Sequence, residues 1–305
     1  GVTEGGNIKN LNLAIDLNIS MLNRLLHYLI LLPISLLPIK VLYLLSDLLF
    51  IFFYYILSYR KKVVSENIAL SFPLLNDSER TTICRKFYKH LCDLFIESIK
   101  SFTISEKKLT KRFVIKNPEL IDSYALKNQS VIVVGAHYNN WEMFAQVTPL
   151  YHQHSCFGIY KKLSNDFYNS KMLKSREKFG FCMFSMNETL KCFRQKTTKA
   201  IFFASDQSPS NYKNVIWTQF LNQNTAVQSG VERLAKLYDY PIFTYHITKI
   251  KRGYYQAKYE LIVDLPNMLE TGFVTKIFTK KIEQMILESP EFWLWSHKRW
   301  KLKNN

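Results

Sequence analysis

A histidine and a glutamate stand five residues apart just after a strand-like run. The order is Ser130-VIVVG, then Ala136-His137-Tyr138-Asn139-Asn140-Trp141-Glu142. A His at a strand exit, with a carboxylate at the following helix start, can form a hydrogen-bonded pair. The carboxylate fixes the imidazole tautomer and stabilises its charged form, leaving the other ring nitrogen to take a proton from a hydroxyl. Acyl transfer to an alcohol requires that division of labour. Blander roles fit the same residues: a strand-end His is usually structural, and Asn139-x-x-Glu142 is close to a capping arrangement with Asn139 as N-cap. The tetrahedral intermediate of such a reaction needs oxyanion donors. Backbone N–H groups at the helix start around Asn139 and Asn140 are candidates.

The elements that must hold these groups follow from apolar patterning. VIVVG is a short β-branched run, as expected of a strand buried on both faces. Ala200-IFFAS-Asp206, Pro241-IFTYHITKI-Lys251 and Tyr254 to Val263 read as further strands. Helical patterns cover Asn76 to about Phe102, Asp166 to Lys178, Gln228 to Tyr238 and Phe273 to Leu287. Asn76-Asp77-Ser78-Glu79 marks the first of these starts. Strand–helix alternation at this spacing predicts an α/β fold, a mostly parallel central sheet flanked by helices.

Ahead of this lies an apolar stretch, Leu22 to Leu57, with runs on either side of Lys40. Each run is near the length needed to cross a bilayer, although Pro33 and Pro38 interrupt the first and Asp47 sits in the second. Tyr59-Arg60-Lys61-Lys62 follows, an aromatic–basic edge of the kind found at cytoplasmic membrane boundaries. One span or an interfacial helix pair both fit, and a buried helical hairpin is the soluble alternative. The expected organisation is a disordered extension over residues 1–20, a membrane-anchoring helical segment over 21–62 and one catalytic domain over 63–305.

The 305 residues are 48% hydrophobic with nine Gly and nine Pro, which excludes disorder and collagen-like repeats. Forty-one Lys and Arg against 24 Asp and Glu give a net charge of +17, which favours anionic partners. Nucleic acid is one such partner, but the basic residues are scattered and no helix-turn-helix, RRM or OB pattern accompanies them. The five cysteines form no C-x-x-C pair or zinc-ligand cluster, and no P-loop is present. No metal, cofactor or disulfide is expected.

Several blocks in order carry a resemblance. GAHYNNWE looks like the H-x-x-x-x-D/E signature of the lysophospholipid acyltransferase superfamily. ENIALSFP (Glu66 to Pro73), KKLSNDFYNSKMLKSREKFG (Lys161 to Gly180), FFASDQSPS, FLNQNTAVQSGVERLAKLYDYP and PEFWLWSHKRWK (Pro290 to Lys301) accompany it. Together they resemble the bacterial lipid A biosynthesis acyltransferases, the late or secondary acyltransferases. The resemblance implies transfer of a fatty acyl chain, usually from an acyl carrier protein thioester, to a hydroxyl on a lipid A precursor. It also implies residence at the bacterial inner membrane with the catalytic domain on the cytoplasmic side. His137 is then the general base and Glu142 its orienting partner, with Arg176, Asp206 and Gln207 lining the substrate site. An acyltransferase of the same superfamily acting on a glycerolipid or another glycolipid is the nearest alternative. The C-terminal block mixes Trp with Lys and Arg, fitting either a membrane interface or tryptophans packed on the core.

Overall fold

The computed structural model describes residues 21–303. The expected disordered extension, residues 1–20, lies outside the described residues.

The apolar N-terminal region forms two helices, Met21–Leu36 and Ile39–Ile56. Pro38 separates them: it restricts the residue before it, and Leu37 leaves the helix at φ −57°, ψ 151°. Pro33 is accommodated because a wider π turn, Leu26–Leu31, runs just ahead of it. The second helix, 18 residues long, is by length and composition able to cross a membrane. Its two faces differ. Leu44, Leu48, Ile51, Phe52 and Tyr55 are exposed, whereas Leu42, Ser46 and Tyr54 are buried. Polar groups fasten the buried side. Tyr43 donates to Glu97 at 2.6 Å, Ser46 donates to Asp93 at 2.8 Å, and Asp47 accepts from Arg252 at 2.8 and 3.1 Å.

Glu97 and Asp93 belong to the long helix Asp77–Ser101. Its start carries a reciprocal capping box: the Asn76 side chain accepts from the Glu79 N–H at 3.0 Å, and Glu79 accepts from the Asn76 N–H at 2.8 Å.

Seven strands form the central sheet: β1 (Phe113–Ile115), β2 (Val131–Gly135), β3 (Ser155–Tyr160), β4 (Cys182–Ser185), β5 (Lys199–Ala204), β8 (Ile242–Lys251) and β9 (Tyr254–Val263). Their order is β1-β9-β8-β2-β5-β3-β4. The block β8-β2-β5-β3-β4 is parallel, and β8 pairs antiparallel with β9. In β2 every residue is buried. Val131 and Val133 pack into one core, while Ile132 and Val134 pack into the core on the opposite face, as the alternation of side chains along a strand requires. The sheet therefore has helices on both faces, as the strand–helix alternation predicts.

A hairpin outside the main sheet, β6 (Val215–Phe220) with β7 (Gln223–Gln228), is an element the apolar pattern does not announce. Its turn, Leu221-Asn222, places both residues at positive φ, 51° and 61°. Such turns normally advertise themselves through Asn-Gly or Asp-Gly; Leu-Asn gives no such signal. Glu283 compensates by accepting the Leu221 N–H at 2.7 Å.

Candidate active site

Strand register brings the chemistry together. Gly135 of β2 is paired with Ala204 of β5 in a parallel ladder. Two residues beyond Gly135 lies His137, and two residues beyond Ala204 lies Asp206. Equal offsets from paired residues place both side chains at one spot off the carboxyl ends of the strands, where open α/β sheets hold their ligands. The Ser205 N–H donates to Gly135 O at 2.9 Å and carries the pairing one step further. Gly135 is required there: a Cβ would come within 2.1–2.5 Å of the Tyr245 ring on β8.

His137 Nδ1 lies 2.8 Å from Asp206 Oδ1. The other Asp206 oxygen accepts the Trp293 indole N–H at 2.8 Å, and Asp206 is buried. With a carboxylate on Nδ1, the neutral imidazole keeps its proton there and its lone pair on Nε2. Nε2 has no hydrogen-bond partner among the described residues, and the side chain remains 25% exposed. Burial opposes protonation of the ring, but the Asp206 charge and hydrogen bond outweigh it and hold the imidazole above its ordinary value of 6.5. Burial pushes the Asp206 carboxyl up, while His137 and the Trp293 donor bring it below the usual carboxylate value. The Gln207 amide nitrogen stands 3.3 Å from the same His137 Nδ1.

Glu142 has a different partner. Arg176 closes a two-pronged bridge on it, Nε to Oε2 at 2.8 Å and Nη2 to Oε1 at 2.6 Å, and the Trp141 indole adds 3.1 Å to Oε1. Paired donors of fixed geometry are the strongest form of such a bridge. Burial raises the Glu142 carboxyl, and Arg176 more than reverses this, leaving it ionised and below its usual value. Its charge still acts on the imidazole through space. So the hydrogen-bonded carboxylate of His137 is Asp206, and Glu142 reaches the histidine electrostatically.

Neighbouring elements clamp this layout. Asn140, not Asn139, caps the helix Trp141–Val147, its side chain accepting from the Met143 N–H at 2.8 Å. The alternative capping arrangement of Asn139 with Glu142 is not formed, and Glu142 is held by Arg176. Asn139 instead takes the left-handed conformation at φ 56°, which Asn tolerates. Its side chain donates to Ile247 O at 3.0 Å, and its N–H donates to Phe292 O at 2.9 Å. That N–H is engaged, so of the expected oxyanion donors the Asn139 amide is removed. Asn140 also donates to the buried Glu97 at 2.5 Å. Arg176 ends the helix Asp166–Arg176, and Gln146 pins that end by donating to Ser175 O at 2.5 Å.

The C-terminal block resolves in favour of packing. Trp293 and Trp295 are buried, and Arg299 is buried and donates to Ala226 O at 2.9 Å. Lys298 and Lys301 are exposed. The Leu294 N–H donates to His137 O at 3.1 Å, tying this segment to the histidine itself. Glu97 is the partner that motif reading passes over; Asn140, expected as a backbone donor, serves through its side chain, and the Trp-rich block was the signal for Trp293. No group of three or more His, Cys, Asp or Glu among the described residues could hold a metal.

The sequence model of the bacterial lipid A biosynthesis acyltransferase family matches residues 16–302. The chain belongs to that family. Among curated members, a lipid A biosynthesis palmitoleoyltransferase of Escherichia coli (strain K12) is 22% identical over 249 residues, covering 80% of this chain and 79% of the relative. A lipid A biosynthesis lauroyltransferase of the same organism is 20% identical over 249 residues, covering 80% of each. This lipid A acyltransferase family member is thus an acyltransferase, as the ordered blocks imply.

Proposed function

We propose that this enzyme transfers a fatty acyl chain from an acyl thioester, presented by acyl carrier protein, to a hydroxyl of a lipid A precursor. The observation that carries the mechanism is the 2.8 Å contact between His137 Nδ1 and Asp206, which leaves Nε2 as the free base. Nε2 takes the acceptor hydroxyl proton as the oxygen attacks the thioester carbonyl. Collapse of the tetrahedral intermediate forms the ester and breaks the C–S bond, and the imidazolium returns its proton to the departing thiolate. The fixed Asp206 charge stabilises the imidazolium between these steps. Glu142, kept ionised by Arg176, adds to that field and fixes the helix that follows the histidine. Gln207, next to Asp206, is placed to contact substrate beside His137.

The net charge of +17 suits an acidic carrier and a phosphorylated acceptor. The exposed apolar faces of Met21–Leu36 and Ile39–Ile56 support attachment to the bacterial inner membrane, with the catalytic domain on the cytoplasmic side, where the carrier resides. Because the polar face of Ile39–Ile56 is fastened to the catalytic domain, lying in the interface fits it better than crossing.

The test is incubation of purified protein with labelled acyl carrier protein thioesters and lipid A precursors, read by mass spectrometry. One added acyl chain is expected, and His137→Ala should lower kcat by roughly 10²–10⁴-fold without unfolding. Full turnover by that variant would remove the mechanism. Refusal of every lipid A precursor with acceptance of a glycerolipid would transfer the site to the alternative acceptor.

A further inference from the structure

A shallow surface cavity of roughly 310 Å³, more open than enclosed, lies beside the active-site loop. It is separate from the site around His137: Lys86, Lys89, Lys249 and Arg252 line it, with Asp93 and Glu291 as the acidic members. Four cations therefore face two carboxylates. Asp93 is already neutralised, by Arg252 at 2.6 Å and Lys249 at 3.3 Å. Glu291 reaches Lys86 at only 3.9 Å. Lys89 makes no ion pair among the described residues. Once Asp47 is counted, which is also on Arg252 and within electrostatic reach of Lys89, four cations stand against three carboxylates, and one positive charge is left over at the mouth.

Placement says what that charge meets. Arg252 also holds Asp47, on the flank of the Ile39–Ile56 helix next to its exposed Leu44, Leu48 and Ile51. The cavity thus sits at the edge of the apolar surface read above as lipid-facing. An anion bound there would lie at head-group level, where each nearby Lys or Arg adds about 1 kcal/mol to the attraction of an anionic membrane surface. Phe292, on the cavity wall, carries the carbonyl that holds the Asn139 N–H, so the cavity is one peptide removed from the active-site loop.

We propose that this cavity binds the phosphate-bearing head group of an anionic membrane lipid. The inference rests on the lipid-facing reading of the N-terminal helices, and the experiment separates the two. Binding of the full chain to phosphatidylcholine vesicles reports the apolar faces; the gain on adding phosphatidylglycerol reports the cavity. Lys86 and Lys89 are exposed, so Lys86→Glu with Lys89→Glu should leave the fold intact. The double variant is expected to keep its binding to phosphatidylcholine and to lose about 30-fold or more of the gain from phosphatidylglycerol. Lys40→Glu with Lys62→Glu makes the same charge change near the apolar helices but outside the cavity, and should lose distinctly less. Equal losses in the two double variants would overturn the proposal in favour of diffuse attraction, as would an unchanged gain in the first. Calorimetric titration of the detergent-solubilised protein distinguishes the source of the phosphate: short-chain phosphatidylglycerol should bind and inorganic phosphate should not. Equal binding of both would overturn the lipid assignment.

Discussion

In the proposed mechanism, the carboxylate on Nδ1 sets both which nitrogen of His137 is the base and the pH at which it works. Burial alone would lower the imidazole, but Asp206 raises it above 6.5. A base must be neutral, so activity should climb as pH rises through that raised value. The stability contribution runs the other way: it is complete below 6.5 and fades as pH passes the folded value. Asp206→Asn removes the charge, so the rising limb of kcat/KM should move to lower pH while its plateau falls roughly 10²-fold or more. Trp293→Phe removes the donor from the second Asp206 oxygen, concentrating charge on the one facing His137, and should move the limb to higher pH. Profiles shifting in the same direction would contradict this linkage. The sequence named His137, Glu142, Arg176, Asp206 and Gln207, and all five gather around one spot. The partnership on Nδ1 was not legible. Glu142 is five residues from His137 and visible in one motif, whereas Asp206 is 69 residues away and arrives only through the β2–β5 register.

Among the elements, the helices Trp141–Val147 and Asp166–Arg176 meet through the Glu142–Arg176 bridge and the Gln146–Ser175 contact. Arg176→Ala leaves a part-buried carboxylate without its cation and should cost less than the roughly 3–5 kcal/mol of a fully buried pair, but measurably, in chemical denaturation. Arg176→Lys keeps charge but not the fork, and should cost less while still slowing turnover. An Ala variant as stable as the wild type would show that the bridge does not hold these helices together. Long periodic elements were readable because burial repeats along them: the capping box at Asn76 and the helix to Ser101 are examples. The hairpin β6–β7 was not, since its strands are only partly buried and its turn uses Leu221 where glycine or asparagine is customary. The edge strands β1 and β4 are three and four residues long, too short for a pattern to form.

For the whole molecule, the proposed membrane attachment rests on the exposed apolar side of the N-terminal helices. Leu44 and Leu48 are 65% and 63% exposed on the face turned away from the catalytic domain. Replacing both by Glu should weaken sedimentation with neutral vesicles by about 100-fold or more, because each buried Leu is worth about 1.5–3 kcal/mol. Circular dichroism should be unchanged, and persistent sedimentation would refute attachment by this face. The presence of this apolar region was legible from hydropathy; its orientation was not, because Tyr43, Ser46 and Asp47 find their partners on residues 93, 97 and 252. At the other end, the segment after Pro290 stitches distant regions: Asn67 donates to Trp295 O and His297 O at 2.8 and 2.9 Å, and Arg60 donates to Ser296 O at 3.0 Å. The same segment supplies the indole on Asp206 and the amide on His137 O. Along the chain the sheet ends at Val263 and already includes the approach of His137 to Asp206, so this segment adds only the second layer of support around the histidine. A protease clipping ahead of Pro290 would take the indole from Asp206 and Trp293 and Trp295 from the core in one cut, so catalytic and structural damage would arrive together.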